Sequence, residues 1–329
     1  MKVPALLLST SILFGATATN AAPDVVVSIK PIHSLVAAVM EGVGEPALIV
    51  EGAASPHTFT MKPSNARTVQ EADLVFWMGP NMEAFLEKPL EALASDATVI
   101  ELDEAEGLTK LPFREGGAFE AHDHGEHEEA GHGEDHDHDH DHEEHSGETD
   151  EHSHDHGEFD THLWLDPSNA KAMAVAIEKA LSAADPENAK AYGANLEALS
   201  QKIDALDREI AGMVAPVKDK PFVVFHDAYQ YFEDHYGVRV VGSITVSPEI
   251  MPGAERVREI QDRIKTLGAA CVFAEPQFEP KLIQVVTEGT DARSGTLDPE
   301  GATLAEGPDL YFELMRSIAT SLNECLSGG

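Results

Sequence analysis

The chain has 329 residues, of which 42% are hydrophobic, and a formal net charge of −37 at pH 7. This length is sufficient for two domains of ordinary size. The acidic balance excludes a nucleic-acid-binding surface, which requires clustered Lys and Arg, and it favours a cationic ligand.

The N-terminus has the layout of a secretory signal peptide over residues 1–21. Lys2 supplies a positive charge, residues 3–14 are apolar, and the small residues that follow predict cleavage near Ala21. The apolar run of about twelve residues is too short to cross a bilayer core of about 30 Å. We therefore expect an exported mature chain without a membrane span.

The next hundred or so residues alternate predicted strands with predicted helices. Apolar runs predict strands at 25–29, 48–50, 74–77 and 98–100. Helices are predicted at 32–40 and 82–94, with another that begins near Pro63. This alternation is typical of βαβ units and predicts an α/β fold with a mostly parallel sheet.

Residues 115–158 interrupt the pattern. Residues 120–158 contain seventeen Asp and Glu, twelve of the chain's seventeen His, and no Lys or Arg. Such a segment buries too little apolar surface to offset the entropy of ordering it, so we predict a disordered loop. Although a charge run is often only a solvated segment, alternating His and Asp favours weak, exchangeable metal binding. The predicted weak sites are His122, His124, His127, His132, His136, His138, His140, His142, His145, His152, His154 and His156.

The remainder of the chain predicts one long helix and a second α/β unit. A helix is expected at 169–183, and apolar residues spaced by three or four predict a long helix at 186–215. Further strands are predicted at 222–225, 238–241 and 271–274, and further helices at 254–267, 281–288 and 311–322. We therefore expect an N-terminal lobe (22–185, with the disordered loop), a linking helix (186–215) and a C-terminal lobe (216–329).

Five His lie outside the acidic segment. His57, His162 and His226 fall in predicted loops, and ligands of open α/β sheets bind in loops at the carboxyl ends of strands. Three neutral imidazoles with one open position are a common zinc arrangement. His33, in an amphipathic helix, and His235, in a polar turn, are interpreted as ordinary surface or capping residues.

Four motifs surround the three candidate His in chain order. They are SPH at 55–57 with ADLVFWMG at 72–79, HLWLDP at 162–167, FHDAY at 225–229, and GTLDP at 295–299. Together they resemble the metal-binding receptors of zinc and manganese ABC importers over essentially the whole mature chain. The resemblance implies a periplasmic, monomeric receptor that is not an enzyme and that delivers its ion to a membrane permease. It also implies two α/β lobes joined by one long rigid helix, with the metal between them.

Within that family, the resemblance implies that His57 and His162 come from the first lobe and His226 from the second. The zinc-importing, ZnuA-like branch has His at the third position and a His- and acid-rich loop, whereas manganese receptors carry a carboxylate there. Imidazole also suits Zn²⁺ better than Mn²⁺, so Zn²⁺ is the expected transported ion. Asp298 matches a metal-binding Asp of the manganese branch. In some zinc receptors of the family a carboxylate just before the first His serves as a ligand, but that position is Pro56 here, which offers no ligand atom. The fourth ligand is therefore expected to be water or Asp298.

Cys271 and Cys325 are the only two cysteines. In an oxidising compartment an even number favours a disulfide, although two buried, unpaired thiols are the alternative. The resemblance to zinc-type receptors implies the disulfide.

Three other functions compete with the zinc receptor. An exported zinc enzyme would need a general base beside the metal, and the sequence contains neither a HExxH nor a GxSxG motif. The others are a zinc-buffering protein without a transporter partner and a manganese receptor of the same family.

Overall fold

The computed structural model describes residues 22–114, 159–245, 253–278 and 281–328. Its strands are β1 (Val25–Val27), β2 (Ala47–Leu48), β3 (Leu74–Trp77), β4 (Thr98–Glu101), β5 (Phe222–His226), β6 (Val240–Thr245), β7 (Cys271–Ala274) and β8 (Arg293–Thr296). Its helices are α1 (Lys30–Val39), α2 (Pro63–Gln70), α3 (Ala84–Leu93), α4 (Pro167–Ala184), α5 (Ala189–Val214), α6 (Gln230–Tyr236), α7 (Ala254–Leu267), α8 (Lys281–Thr287) and α9 (Leu310–Ser327).

The strands form two parallel sheets of four, which confirms the predicted α/β fold with two parallel sheets. The N-terminal sheet has the order β2-β1-β3-β4 and the C-terminal sheet the order β6-β5-β7-β8. In each sheet the first strand of that half has the second strand on one side and the third strand on the other, so the order of the strands reverses there. A crevice therefore opens at the carboxyl ends of β1 and β3, and another at those of β5 and β7, where α/β proteins bind ligands.

The central strands were predictable because they are buried on both faces. Every residue of β1, β3 and β5 is buried, and parallel strands covered by helices are typically continuous apolar runs. Helix α4 begins where local chemistry predicts, because the Asp166 side chain accepts a hydrogen bond from the Ser168 N–H at 2.7 Å and Pro167 occupies the first turn.

The long helix α5 joins the two halves and also contributes to their common core. Its buried stripe is Leu199, Ile203, Leu206, Ile210 and Val214. The helix packs against α1, α4 and α9, and the main hydrophobic cluster runs without interruption from β1 through α5 to β5 and α9. The two halves are therefore joined by packing as well as by the helix. The lobe boundaries 22–185, 186–215 and 216–329 stay predictions.

Two elements were not predicted. Helix α6 contains His235, so its placement in a polar turn was wrong; the helix is short and ends at Gly237, whose φ of 68° suits glycine. Strand β8 is a largely exposed edge strand, so it lacks the apolar run that marks a buried strand.

Cys271 and Cys325 form a disulfide that ties β7 to α9, which confirms that prediction. Among the described residues, none of the helices combines the length and apolar character that a bilayer crossing requires.

Candidate metal centre

The structure brings His57, His162 and His226 together. His57 lies in the short helical turn Pro56–Thr58 after β2, His162 directly precedes the turn Leu163–Leu165, and His226 is the last residue of β5. Each offers one ring nitrogen, and the three nitrogens all lie within 4.8 Å of one another. The Nε2 atoms of His162 and His226 are 3.3 Å apart. Three segments distant in sequence therefore converge on one point.

Two buried carboxylates orient the imidazoles of His162 and His226. His162 Nδ1 lies 2.7 Å from Asp160 Oδ1, and His226 Nδ1 lies 2.6 Å from Glu275 Oε1. A carboxylate accepts a hydrogen bond from Nδ1–H, and in a neutral imidazole the lone pair is then on Nε2. Both Nε2 atoms therefore have a lone pair available for a metal ion.

His57 contributes a different environment to the cluster. Its Nε2 atom is buried and has no hydrogen-bond partner among the residues that the structure describes. Burial lowers the pKa of His57 well below its ordinary value, and the neighbouring His162 and His226 lower it further. A buried lone pair without a partner is unfavourable, and a metal ion at the centre of the cluster would satisfy it.

The cluster as a whole attracts positive charge. Burial alone lowers the pKa of His226, but the charge and hydrogen bond of Glu275 outweigh it and raise that pKa above the ordinary value. Asp160 and Glu275 are 1% and 3% exposed, so water screens their charge little. Together they offer two negative charges to a divalent cation.

The separation of two of the three nitrogens fits zinc. Ligand nitrogens at about 2.0–2.1 Å from a tetrahedral zinc lie about 3.3 Å from one another, which is the observed separation of His162 Nε2 and His226 Nε2. A cavity of about 10 Å³, bordered by His57, His226, Glu275 and Glu300 among others, adjoins the cluster. This volume is sufficient for about one water molecule.

Asp298 does not belong to the group of converging ligand atoms. Its Oδ1 accepts hydrogen bonds from the backbone N–H groups of Glu300 (3.1 Å) and Gly301 (2.9 Å) and from the Gln277 amide (3.2 Å). These bonds hold the turn after β8. The twelve His predicted as weak secondary sites lie outside the described residues.

The sequence interpretation missed Asp160 and Glu275. Asp160 is two residues before His162, and Glu275 directly follows β7 at the carboxyl edge of the sheet. Position at a strand end was therefore the available signal for Glu275. His33, interpreted as an ordinary residue, is buried in α1, with Nε2 at 3.0 Å from the Pro46 carbonyl oxygen.

Contacts between the two halves fix the relative positions of the ligands. The Trp164 indole N–H, two residues after His162, donates to the Pro299 carbonyl at 2.8 Å. The buried Lys30 ammonium at the start of α1 lies 3.1–3.3 Å from the carbonyl oxygens of Gly301, Ala302 and Leu304. Hydrogen bonds that cross from one half to the other therefore border the candidate metal centre.

Comparison with known proteins agrees with this architecture. The family model described as "zinc-uptake complex component A periplasmic" (ZnuA) matches residues 25–325. The high-affinity zinc uptake system protein ZnuA of Brucella suis biovar 1 is 56% identical over 327 residues, which cover 98% of each chain. The protein of the same name from Yersinia pestis is 37% identical over 320 residues, covering 97% of this chain and 96% of that one.

Among solved structures, the periplasmic zinc binding protein TroA from Treponema pallidum has a similar fold. The TM-score is 0.73 with 19% sequence identity, over 92% of this chain and 99% of that one. The fold is that of a metal-receptor protein with two α/β halves, and the three His converge in it. The chain belongs to the ZnuA family of periplasmic zinc-uptake components.

Proposed function

We propose that this protein is a periplasmic receptor that binds one Zn²⁺ through His57, His162 and His226 and delivers it to the permease of an ABC importer. The observation that carries the proposal is the convergence of three imidazole nitrogens, two of them on buried residues, within 4.8 Å. Membership of a family whose relatives are named high-affinity zinc uptake proteins supports the same function.

The charges of the centre balance for a divalent ion. Three neutral imidazoles contribute no net charge, and the two carboxylates hydrogen-bonded to His162 and His226 contribute two negative charges. Because a buried charge is stable only when it is compensated, Zn²⁺ neutralises Asp160 and Glu275 while they strengthen the ligand imidazoles.

Water is the proposed fourth ligand. Asp298 Oδ1 is already bound by two backbone N–H groups and one side-chain amide, and the adjoining cavity accommodates about one water molecule. A coordination position occupied by water is easily exchanged. This suits a protein that must pass its ion to another binding site.

The donor set supports zinc rather than manganese as the transported ion. All three converging groups offer nitrogen. Mn²⁺ prefers oxygen ligands and lies at the weak end of the affinity order for divalent metals, whereas imidazole is a favoured zinc ligand.

The surroundings of the centre also support a receptor rather than an enzyme. A hydrolytic zinc site needs a general base that can contact the metal-bound water. Asp160 and Glu275, which lie beside the cluster, both hold ligand imidazoles. We further propose that residues 1–21 are cleaved on export and that the mature receptor acts as a monomer.

Metal analysis and titration test the proposal. The protein should contain about one tightly bound zinc per chain, and Zn²⁺ should displace Mn²⁺ in competition. The triple variant His57→Ala, His162→Ala, His226→Ala should lose this zinc and fail to restore growth of a receptor-deletion strain on low zinc. His33→Gln is the matched control, because an amide can still donate to the Pro46 carbonyl. A triple variant that retains one tight zinc would refute the ligand assignment.

A further inference from the structure

Arg114 lies on a short paired segment that leads directly to the metal centre. The segment consists of residues 111–114 and 159–160: Pro112 and Phe159 form an antiparallel bridge, and the Asp160 N–H donates to the Leu111 carbonyl at 2.9 Å. Asp160 also holds the Nδ1 atom of His162. The position of this paired segment therefore determines the position of one ligand.

The Arg114 guanidinium connects the paired segment to the other half of the molecule. Its Nε donates to Asp227 Oδ2 at 3.1 Å, its Nη2 contacts Asp227 Oδ1, and its Nη1 donates to Glu233 Oε2 at 2.9 Å. Asp227 directly follows His226, and Glu233 lies in α6. One side chain thus joins the segment that positions His162 to the residue beside His226.

Neutral hydrogen bonds accompany this ionic contact. The Tyr231 hydroxyl donates to the Asp160 carbonyl oxygen at 2.7 Å and accepts from the Leu111 N–H at 3.0 Å. The Gln230 amide donates to the Pro112 carbonyl at 3.1 Å. These contacts place α6 on the paired segment, and Arg114 supplies the positive charge of the ionic contact beside them.

We propose that Arg114 is a positioning residue for metal retention. It holds the paired segment, which positions His162, to Asp227, which follows His226, and so slows the release of zinc. This proposal rests on the proposed zinc-binding function. Zinc leaves when ligands from the two halves separate, and that separation requires the contacts of Arg114 to Asp227 and Glu233 to break.

Burial makes this contact effective. The side chains of Arg114, Asp227 and Glu233 are 20%, 11% and 12% exposed, so water screens their charges only in part. Without the guanidinium, two carboxylates would lie at the same contact without a cation between them. Asp227 and Glu233 would then lose their common charged partner on the paired segment, and the ionic contact between that segment and α6 would be lost.

A second arginine offers a matched control. Arg316 on α9 binds Glu209 on α5 through Nε and Nη2, both at 2.9 Å. That pair is 44% exposed on each side, and it joins two helices of the common core rather than the segments behind the ligands. Exposed pairs contribute little, so Arg316→Gln should leave the zinc release rate unchanged.

Stopped-flow transfer of zinc to a chelator from the loaded full-length chain tests the proposal. Removing one partner of a buried, hydrogen-bonded charge pair acts mainly on dissociation, so Arg114→Gln should release zinc at least about tenfold faster. Arg114→Lys should restore part of the difference, because an ammonium cannot bind two carboxylates as the planar guanidinium does. If the Arg114→Gln protein does not fold, the double variant Arg114→Gln, Glu233→Gln is measured instead. It also removes one of the two carboxylates.

Hydrogen exchange of the Leu111 and Asp160 amides gives a readout that is independent of zinc. Both amides should exchange faster in Arg114→Gln than in the parent protein or in Arg316→Gln. An Arg114→Gln protein that releases zinc at the parental rate would overturn the proposal, even with a lower melting temperature. A parent protein that holds no stoichiometric zinc would instead refute the proposed function.

Discussion

In the N-terminal sheet a buried glutamate, Glu83, closes the crevice between β1 and β3, whereas in the C-terminal sheet the corresponding crevice holds His226 and Glu275. Glu83 accepts hydrogen bonds from the Ser28 hydroxyl, which follows β1, and from the N–H groups of Met78 (3.0 Å) and Gly79 (3.1 Å), which follow β3. All of these hydrogen-bond donors belong to the N-terminal half of the molecule.

Glu275 occupies a related place but has a different partner. It follows β7 and accepts a hydrogen bond from the imidazole of His226, at the end of the neighbouring β5. One topology thus uses a buried carboxyl group in two ways. With hydroxyl and backbone donors it stabilises the fold, and with an imidazole donor it orients a proposed metal ligand.

The largest expected effect is the loss of a ligand. Mutating a residue that orients a metal ligand typically weakens binding about 10–100-fold. His226→Ala removes one of the three nitrogen donors itself, so its zinc affinity should fall by more than this. Glu83→Gln, at the corresponding crevice, should leave zinc affinity unchanged. Competition with a chromophoric chelator measures both. Tight zinc binding by the His226→Ala protein would contradict the assignment of this residue.

The next largest effect on zinc affinity is expected from the two carboxylates that hydrogen-bond to the ligand imidazoles. Glu275→Gln and Asp160→Asn keep the size of each side chain but remove its charge, and each should weaken zinc binding about 10–100-fold. Circular dichroism should show a retained fold. Parental zinc affinity in both variants would mean that these carboxylates are structural, as Glu83 is.

Acidification should weaken zinc binding, because protons compete for the ligand nitrogens. Glu275 raises the pKa of His226 above the ordinary 6.5, so the competition should already begin above that pH and increase as the pH falls. Glu275→Gln lowers this pKa and should shift the onset to lower pH. Zinc titrations between about pH 7.5 and 5.5 measure the shift. An onset at the same pH in both proteins would exclude Glu275 as its cause.

The stability of the metal-free protein should report on Glu83. Burial raises its pKa from 4.5 to about 8, so its contribution to stability is complete below pH 4.5 and is lost as the pH rises through 8. Glu83→Gln cannot ionise and escapes this loss. As the pH rises across this range, the melting temperature of Glu83→Gln should therefore rise relative to that of the parent protein. A difference that does not vary with pH would show that Glu83 does not titrate in this way.

Deleting residues 120–158 should have the smallest effect. The flanks of this segment already meet at Pro112 and Phe159, and closing a long loop changes stability only logarithmically with its length. The tight zinc site and the melting temperature of the metal-free protein should be preserved, while weak zinc sites disappear from the calorimetric titration. Loss of the tight site would show that the deleted residues contribute to it.

The sequence predicted the parts of this molecule that depend on local pattern. Strand β3 was predicted at the observed bounds because its four residues are all buried. The three His were found because each stands in a recognisable motif. Asp160 and Glu275 were not, because they are two of 59 acidic residues, and Glu275 meets His226 only through a pairing 49 residues apart. Helix α6 and strand β8 were missed because one is short and the other is an exposed edge.

The position of the bound metal tests the account most directly. Crystals of the zinc-loaded full-length protein, measured at the zinc absorption edge, should show one strong anomalous peak at about 2.0–2.1 Å from a ring nitrogen of each of His57, His162 and His226. A main peak that lacks any one of these three nitrogens, or that lies on residues 120–158, would contradict the claim that the two halves hold zinc between them.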